Sequence, residues 1–351
     1  MQKAFVTFKD FMSLPRIFYH LVGMDYYEPP GSKANSNRLL NVILLLNVLN
    51  TGFNMCMEFV LIVQYYRNGQ DIEVICMMVT YLCYISVGQL KIINAWTQKS
   101  KLNGLVNEME AIFPAGIREQ QDKYQVDYYF KRVRYFMRLF SDLLLMLFVV
   151  YSVYNFVYYQ VQRFVLHTPN TEKPLPYYST CPWDCLDHWS YYLIYTSQIW
   201  CGIVTAAGHI ATDLSIYGFT MQLVMHFDYI SKTLIEYQVQ SGRVENGHAK
   251  DIQQLKGLII YHHNLFGLSD VMNSMFELPV LLNFATSTVW VCIVAFQMTL
   301  GLSAGQTLKL IVAMTSALTE IYIICYFSDL LIVSFLKISY RLFCIIRTMY
   351  Q

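Results

Sequence analysis

The sequence predicts an all-α membrane protein, a polytopic bundle of six helices that cross the bilayer. Hydrophobic residues make up 55% of the chain and charged residues only 14%, whereas soluble domains average about a quarter charged. Six apolar runs approach the roughly 20 residues that a helix needs to cross a bilayer. Buried helices of a soluble core rarely give so many such runs. The runs are Leu39–Met57, Val74–Leu90, Leu143–Gln162, Trp189–Thr212, Leu278–Leu308 and Leu310–Phe327.

The elements divide one domain, residues 1–351, into three parts. The N-terminal segment 1–38 lacks the uninterrupted apolar core of a cleavable signal peptide, so the first span is expected to target the chain. The spans occupy 39–327, and a further apolar segment follows at 330–351. Apolar residues at helical spacing continue after the fourth span and precede the fifth, which predicts helices that extend beyond the bilayer and need packing partners. The stretch 241–248 is the predicted turn between them.

Lysine and arginine are unevenly distributed among the connections between spans. Five precede the first span, nine lie in the second connection and four in the fourth, against one, two and one in the first, third and fifth. Because basic loops stay on the cytoplasmic side of a membrane, the N-terminus is predicted to be cytoplasmic. This orientation is the reverse of a G-protein-coupled receptor. The counts assign Lys91 to the second connection and Lys309 to the fifth.

Aromatic residues concentrate in the outer halves of the third and fourth spans, as in "YSVYNFVYYQ" (151–160) and "WSYYLIYTSQIW" (189–200). An interfacial belt explains the outermost tyrosines. It explains less well the polar groups one to two turns deeper, which need partners in hydrocarbon. A small-molecule pocket would supply those partners, and plain helix packing is the alternative. The predicted lining is Tyr81, Tyr84, Phe148, Tyr151, Ser152, Tyr195, Gln198 and Ile199.

The predicted pocket is apolar. No lysine or arginine lies in the outer halves of the second to fourth spans, and a charged ligand would be left unpaired there. The expected ligand is therefore a small, volatile and uncharged molecule.

Other polar motifs give weaker signals. His209 and Asp213 lie among small residues in "VTAAGHIATD" (204–213), and a structural role in helix contacts is favoured over a functional one. The adjacent His262 and His263 point about 100° apart on a helix and cannot share a metal. No metal or other cofactor is therefore expected.

Several function classes lack their signatures. The sequence has no Gly-rich phosphate loop, nucleophile elbow or HExxH pair, so an enzyme is not indicated. A net charge of +1 without long basic tracts gives no reason to expect a nucleic-acid partner. Cys181 and Cys185 lie in a polar loop, where a disulfide and two free thiols are both open.

Five blocks of sequence resemble one known family, the insect odorant receptors, over nearly the whole chain and most closely in their dipteran form. The blocks are "FYHLVGMDYYEP", "DHWSYYLIYTSQIWCGIVTAAGHIATD", "TMQLVMHFDYIS", "SMFELPVLLNFATSTVWVCIVAFQMT" and "FLKISYRLFCIIRTMYQ". The resemblance implies a receptor in the plasma membrane of olfactory neurons. It also implies a tetrameric, odorant-gated cation channel assembled with a shared co-receptor. In that family the last helix lines the pore, which by position would place Tyr340, Phe343 and Ile346 there.

The C-terminal part departs from the family pattern. "YFSDLLIVS" runs directly into "FLKISY", without the long cytoplasmic stretch that precedes the pore helix in the family. Because no turn residue allows a reversal, residues 330–351 are predicted to project into the cytoplasm or to lie along the inner interface. A non-conducting form is then an alternative to a channel subunit. A binding-only or gustatory-type chemoreceptor is the second alternative, and a secondary transporter, which usually shows internal repeats, is the third.

Overall fold

A computed structural model describes residues 5–26, 38–69, 72–114, 116–167, 173–180, 189–239, 247–299 and 304–349. Within these ranges the secondary structure is helical, without strands. Six helices are long and apolar enough to cross a membrane, which confirms the predicted polytopic bundle. The helices are α1 Phe8–Phe11, α2 Ser13–Val22, α3 Arg38–Arg67, α4 Ile72–Thr97, α5 Lys99–Ile112, α6 Arg118–Tyr124, α7 Val126–Gln160 with a π-helical turn Val161–Val165, α8 Ser190–Glu236, α9 Gly247–Met298 and α10 Ala304–Met349.

Helix α8 forms the centre of the bundle. In its most apolar window 83% of the residues are buried, against 22–33% in the other five candidate spans, so the other helices pack around it. Small residues allow this packing. A Cβ atom on Gly208 would lie 2.7 Å from Ile92 Cγ1 and 3.1 Å from the Gly88 carbonyl oxygen of α4. The two backbones therefore approach as closely as glycine permits.

One predicted span is wrong in its bounds. The charge-free run Leu278–Leu308 is not a single helix, because α9 ends at Met298 and α10 begins at Ala304. Absence of charge does not distinguish a helix from a short connection within or near the membrane. By contrast, Pro279 lies inside α9 without ending it, as membrane helices tolerate when neighbours support the freed backbone groups.

Three helices are longer than a bilayer crossing requires. α8 has 47 residues, α9 has 52 and α10 has 46, which at about 1.5 Å per residue gives lengths of about 70–80 Å. A hydrocarbon core of roughly 30 Å covers less than half of that. The predicted extension of the fourth and fifth spans is therefore confirmed. Of the predicted turn 241–248, residues 241–246 lie outside the described residues and 247–248 begin α9.

The N-terminal helices pack at one end of the bundle, here called the N-terminal end. Phe8 and Phe11 are buried, and both rings contact Phe113. Tyr19 of α2 stacks on Tyr26 with ring centroids 5.4 Å apart, and burial raises the pKa of Tyr19 to about 12. The described part of the N-terminal segment is thus integrated into the core.

The segment after the sixth predicted span continues α10 without a reversal. Ser334 Oγ donates to Asp228 Oδ1 of α8 at 3.1 Å, and the Arg341 guanidinium donates to Ser231. Phe335 stacks on His262 of α9 at 5.2 Å. The distal part of α10 therefore packs along the extensions of α8 and α9. The predicted pore residues lie on its outward face, with exposed fractions of 70% for Tyr340, 63% for Phe343 and 43% for Ile346.

Candidate ligand-binding site

A small cavity of about 40 Å³ lies between α4, α7, α8 and α9, and it is here called the inner cavity. Four of the eight predicted ligand residues, Tyr81, Tyr84, Phe148 and Tyr151, line it. The sequence places them at helical spacing on two helices, so their side chains meet only when α4 and α7 pack. The rest of the lining is Thr80, Ile85, Leu147, Tyr177, Gly202, Thr205, Ala206 and Trp290.

Tyr177 reaches the inner cavity from the described loop segment 173–180, between α7 and α8. Its hydroxyl lies 3.1 Å from Ser152 Oγ, and its backbone N–H donates to Gln198 Oε1 at 3.2 Å. Burial raises the pKa of Tyr177 above its ordinary value, so the phenol stays neutral. Ser152 and Gln198, both predicted as lining residues, thus hold this loop in place instead of lining the cavity. Cys181 and Cys185 lie outside the described residues.

Glycine at position 202 makes room for the loop tyrosine. A Cβ atom there would meet the Tyr177 hydroxyl and would lie 2.9 Å from Phe148 Cε2. Any larger residue on this face of α8 must therefore displace one of two rings in the cavity wall.

The other two predicted ligand residues lie behind the wall. The Tyr195 hydroxyl donates to the Ser152 carbonyl oxygen at 3.3 Å, and its ring contacts Phe156 and Tyr191. Ile199 is half-buried and lines neither of the cavities described here. Contact of these two side chains with a ligand stays a prediction.

A larger space of about 780 Å³ adjoins the inner cavity and is here called the outer chamber. The rings of Tyr81, Tyr151 and Tyr177 line both spaces. Tyr81 makes edge-to-face contacts with Tyr151 at 5.4 Å and with Tyr177 at 5.8 Å. These three residues, here called the tyrosine partition, belong to the walls of both spaces.

The two spaces differ in what they can hold. Ligand sites typically measure about 300–1,000 Å³, a range that includes the outer chamber and excludes the inner cavity. Rotation of the partition rings would join the two. A small molecule thus has room in the outer chamber without a change in the bundle, whereas the inner cavity would have to widen to hold one.

Several lining residues were not among the sequence predictions. Trp290 of α9 lines both spaces, and Lys309 of α10 lines the outer chamber. Lys309 was assigned to the fifth connection, but it is the sixth residue of α10. A lone lysine within an apolar run indicates a functional position, and this pattern could have identified Lys309 from the sequence. Tyr177 and Gly202 gave no comparable signal, since their roles depend on how the loop meets α8.

A buried ionic cluster lies deeper in the bundle. The Lys91 ammonium donates to both carboxylate oxygens of Asp213, at 2.8 and 3.0 Å, and lies 3.1 Å from His209 Nδ1. Glu320 of α10 is 3.5 Å from the same nitrogen, and Asn283 of α9 donates to Asp213 at 3.0 Å. The assignment of Lys91 to a loop is therefore wrong, because this side chain is fully buried. The cluster links four helices, in agreement with a structural role for His209 and Asp213.

The cluster also contains three groups of the kind that bind metals. Ligand atoms of His209, Asp213 and Glu320 lie within 4.8 Å of one another. The Lys91 ammonium is already bound among them and supplies the compensating positive charge. Tyr84 stacks on His209 at 4.5 Å, so the cluster lies directly beneath the inner cavity.

Known proteins resemble this chain in sequence. A family described as "7tm Odorant receptor" matches residues 71–345. Odorant receptor 67a of Drosophila melanogaster is 31% identical over 331 residues, which is 94% of this chain and 81% of the relative. Odorant receptor 85c of the same species is 29% identical over 92% of this chain and 81% of the relative.

Solved structures resemble it in fold. The insect olfactory receptor OR5 from Machilis hrabei matches with a TM-score of 0.72 at 12% identity, over 93% of this chain and 80% of that one. The same receptor in complex with eugenol matches with a TM-score of 0.71 at 13% identity, over 91% of this chain and 80% of that one. At such low identity the likeness shows a shared helical bundle.

Proposed function

Because this chain belongs to the insect odorant receptor family, we propose that it is a receptor subunit that binds a small volatile odorant and gates a cation channel with a shared co-receptor. The observation that carries this proposal is the aromatic outer chamber, which is large enough for an odorant and adjoins the inner cavity. A receptor with the same fold is known in complex with eugenol, which supports a small-molecule ligand about as large as eugenol.

The proposed location is the plasma membrane, with the N-terminus and the connection that contains α5 and α6 in the cytoplasm. After Lys91 is removed from the count, eight of the nine basic residues remain, in α5, α6 and the part of α7 before its apolar run, so the asymmetry that sets the orientation persists. The outer chamber then opens toward the outside of the cell. Epitope tags on intact cells test this: a tag near Asn170 should be labelled and a tag near Lys123 should not. The opposite labelling contradicts the orientation.

Odorant-evoked current tests the proposed function. Cells that express this chain together with the family co-receptor should show a cation current on odorant addition, also when G-protein signalling is inhibited. Cells that express the co-receptor alone serve as the control for responses that need no tuning subunit. A response that disappears with G-protein inhibition would contradict a ligand-gated channel.

A second candidate function is odorant binding without conduction. The uninterrupted α10 favours it, since the segment that resembles a pore helix packs along α8 and α9 instead of returning as a separate helix. In this case the purified chain binds odorant, but co-expression yields no current. If current is present, substitution of Phe343 or Ile346 should alter its ion selectivity, as expected for pore-lining residues.

A further inference from the structure

The outer chamber contains a positive charge that the sequence prediction of an apolar pocket did not include. Lys309 of α10 is partly buried in the chamber wall. Its ammonium donates to Asn155 Oδ1 at 2.6 Å and lies 4.3 Å from the centroid of the Tyr154 ring. Among the residues that the structure describes, no carboxylate forms a salt bridge with it. A partly buried ammonium with only neutral partners favours an anion nearby.

A second hydrogen-bond donor lines the same chamber. Gln297, in the last turn of α9, is 1% exposed, and its Nε2 has no hydrogen-bond partner within the described part of the chain. A buried amide N–H without an acceptor is costly, and few remain in folded proteins. Gln297 and Lys309 thus present two donors from the adjoining ends of α9 and α10.

The described remainder of the wall suits hydrocarbon. Tyr81, Tyr151, Trp290 and Leu310 supply apolar and aromatic surface, and a second lysine, Lys173, also lies in the wall. Among the residues that the structure describes, neither an aspartate nor a glutamate lines the chamber. A ligand that matches it has an apolar body and an anionic or hydrogen-bond-accepting end.

We propose that the outer chamber recognises the carboxylate of a small amphiphilic ligand, with Lys309 and Gln297 as donors and the tyrosine partition against its hydrocarbon. The inference rests on the proposed receptor function and names its ligand class. A carboxylate has two acceptor oxygens, one for a charge-assisted bond from the ammonium and one for a bond from the amide. An ester of the same length keeps the carbonyl acceptor and loses the charge. An amine of the same length brings like charge to Lys309.

The test compares hexanoate, methyl hexanoate and hexylamine on the purified full-length chain by calorimetry. The wild type should bind hexanoate most tightly and hexylamine least. Lys309→Met should weaken hexanoate binding about ten-fold, the scale of one lost charged hydrogen bond, and should change methyl hexanoate binding much less. Lys309→Arg keeps the charge and should retain hexanoate binding. Gln297→Glu replaces the amide donor with a second carboxylate and should abolish hexanoate binding.

The outcomes separate this inference from the proposed function. Equal weakening of hexanoate and ester by Lys309→Met would assign the lysine a packing role and overturn carboxylate recognition. Binding of the ester but not of hexanoate by the wild type would also overturn carboxylate recognition. Odorant-evoked current in cells would in that case still support the receptor function. Hexanoate binding that depends on Lys309 supports the inference even when no current is observed. Unchanged thermal unfolding of the Lys309→Arg and Gln297→Glu variants verifies that they are folded.

Discussion

Two lysines lie within apolar helices of this bundle, and their surroundings are opposite. Lys91 is fully buried, bound to Asp213 and near Glu320 and His209. Lys309 is only partly buried and is bound to the neutral Asn155. The centre of the bundle therefore uses its charges to hold four helices together, and the chamber end leaves a charge available. Under the proposed function, the difference assigns assembly of the bundle and recognition of the ligand to separate regions along the helices.

The cavity volumes also differ between the ionic cluster and the outer chamber. The cavity next to His209 and Glu320 measures about 30 Å³, room for a water or two. The outer chamber measures about 780 Å³. The helices are therefore closely packed at the ionic cluster and leave space between them at the chamber. Thr80 and Trp290 line both the small cavity and the outer chamber, so these two side chains connect the two regions.

The largest expected effect comes from the same substitution made in each region. Lys91→Met leaves Asp213 and Glu320 buried without a cation, a change that typically costs about 3–5 kcal/mol. Lys309→Met removes one hydrogen bond at a partly exposed site and should cost about 1 kcal/mol or less. Thermal unfolding of the purified variants measures both.

A compensating variant sharpens this comparison. Lys91→Met combined with Asp213→Leu and Glu320→Gln removes the cation together with both carboxylates, and should recover part of the stability lost in Lys91→Met alone. Equal unfolding temperatures for the two single lysine variants would refute the division between an assembly region and a recognition region.

Two glycines of α8 provide the next comparison. Gly208→Ala places a methyl group 2.7 Å from Ile92 in the α4 contact, and overpacking of this kind costs about 1–3 kcal/mol. Gly202→Ala instead presses on Tyr177 and Phe148, which border free space and can move. We expect lower thermal stability for Gly208→Ala, and altered odorant potency with nearly normal stability for Gly202→Ala. If both variants changed thermal stability and odorant potency to the same extent, the assignment of Gly208 to helix packing and of Gly202 to the cavity wall would be contradicted.

The helices were largely predictable from sequence, because apolar length is a local property. The runs that became α3, α4, α7 and α8 were recognised from charge-free residues alone. The junction of α9 and α10 was missed for the same reason, since the connection carries no charge either. Lys91 was misplaced because a charge usually marks the end of a span, and only the positions of Asp213 and Glu320 on other helices explain it inside one.

The candidate site was predictable only in part. Tyr81 and Tyr151 were predicted because polar aromatic residues deep in a span need partners for their hydroxyl groups. The role of Ser152 as a partner of Tyr177 depends on a contact between segments 25 residues apart, which spacing does not reveal. Lys309 required the start of α10 to be known before it could be placed in the chamber.

A smaller effect is expected to distinguish residues that line the inner cavity and the outer chamber from residues that lie behind their walls. Tyr151→Ala removes a ring of the tyrosine partition, so the inner cavity joins the outer chamber and the ranking of odorants should change several-fold, as expected for about 1–3 kcal/mol of pocket contacts. Tyr195→Ala removes a ring that lines neither space, and its effect on ranking should be weaker. Odorant-evoked currents with matched surface labelling compare the two. A larger change in ranking for Tyr195→Ala would place the ligand on the other side of α7.

The smallest effect concerns the bond between the loop and α7. Ser152→Ala and Tyr177→Phe each break one hydrogen bond and leave a buried hydroxyl, at a cost of about 1 kcal/mol. The double variant leaves neither hydroxyl, so its loss of stability should be less than the sum of the two. Because burial raises the pKa of Tyr177 above its ordinary value near 10, the neutral phenol keeps this bond at all lower pH and loses it only in stronger alkali. Unfolding temperatures of the three variants between pH 6 and pH 9 should therefore keep constant differences, and strictly additive losses would show that the two hydroxyls do not act as a pair.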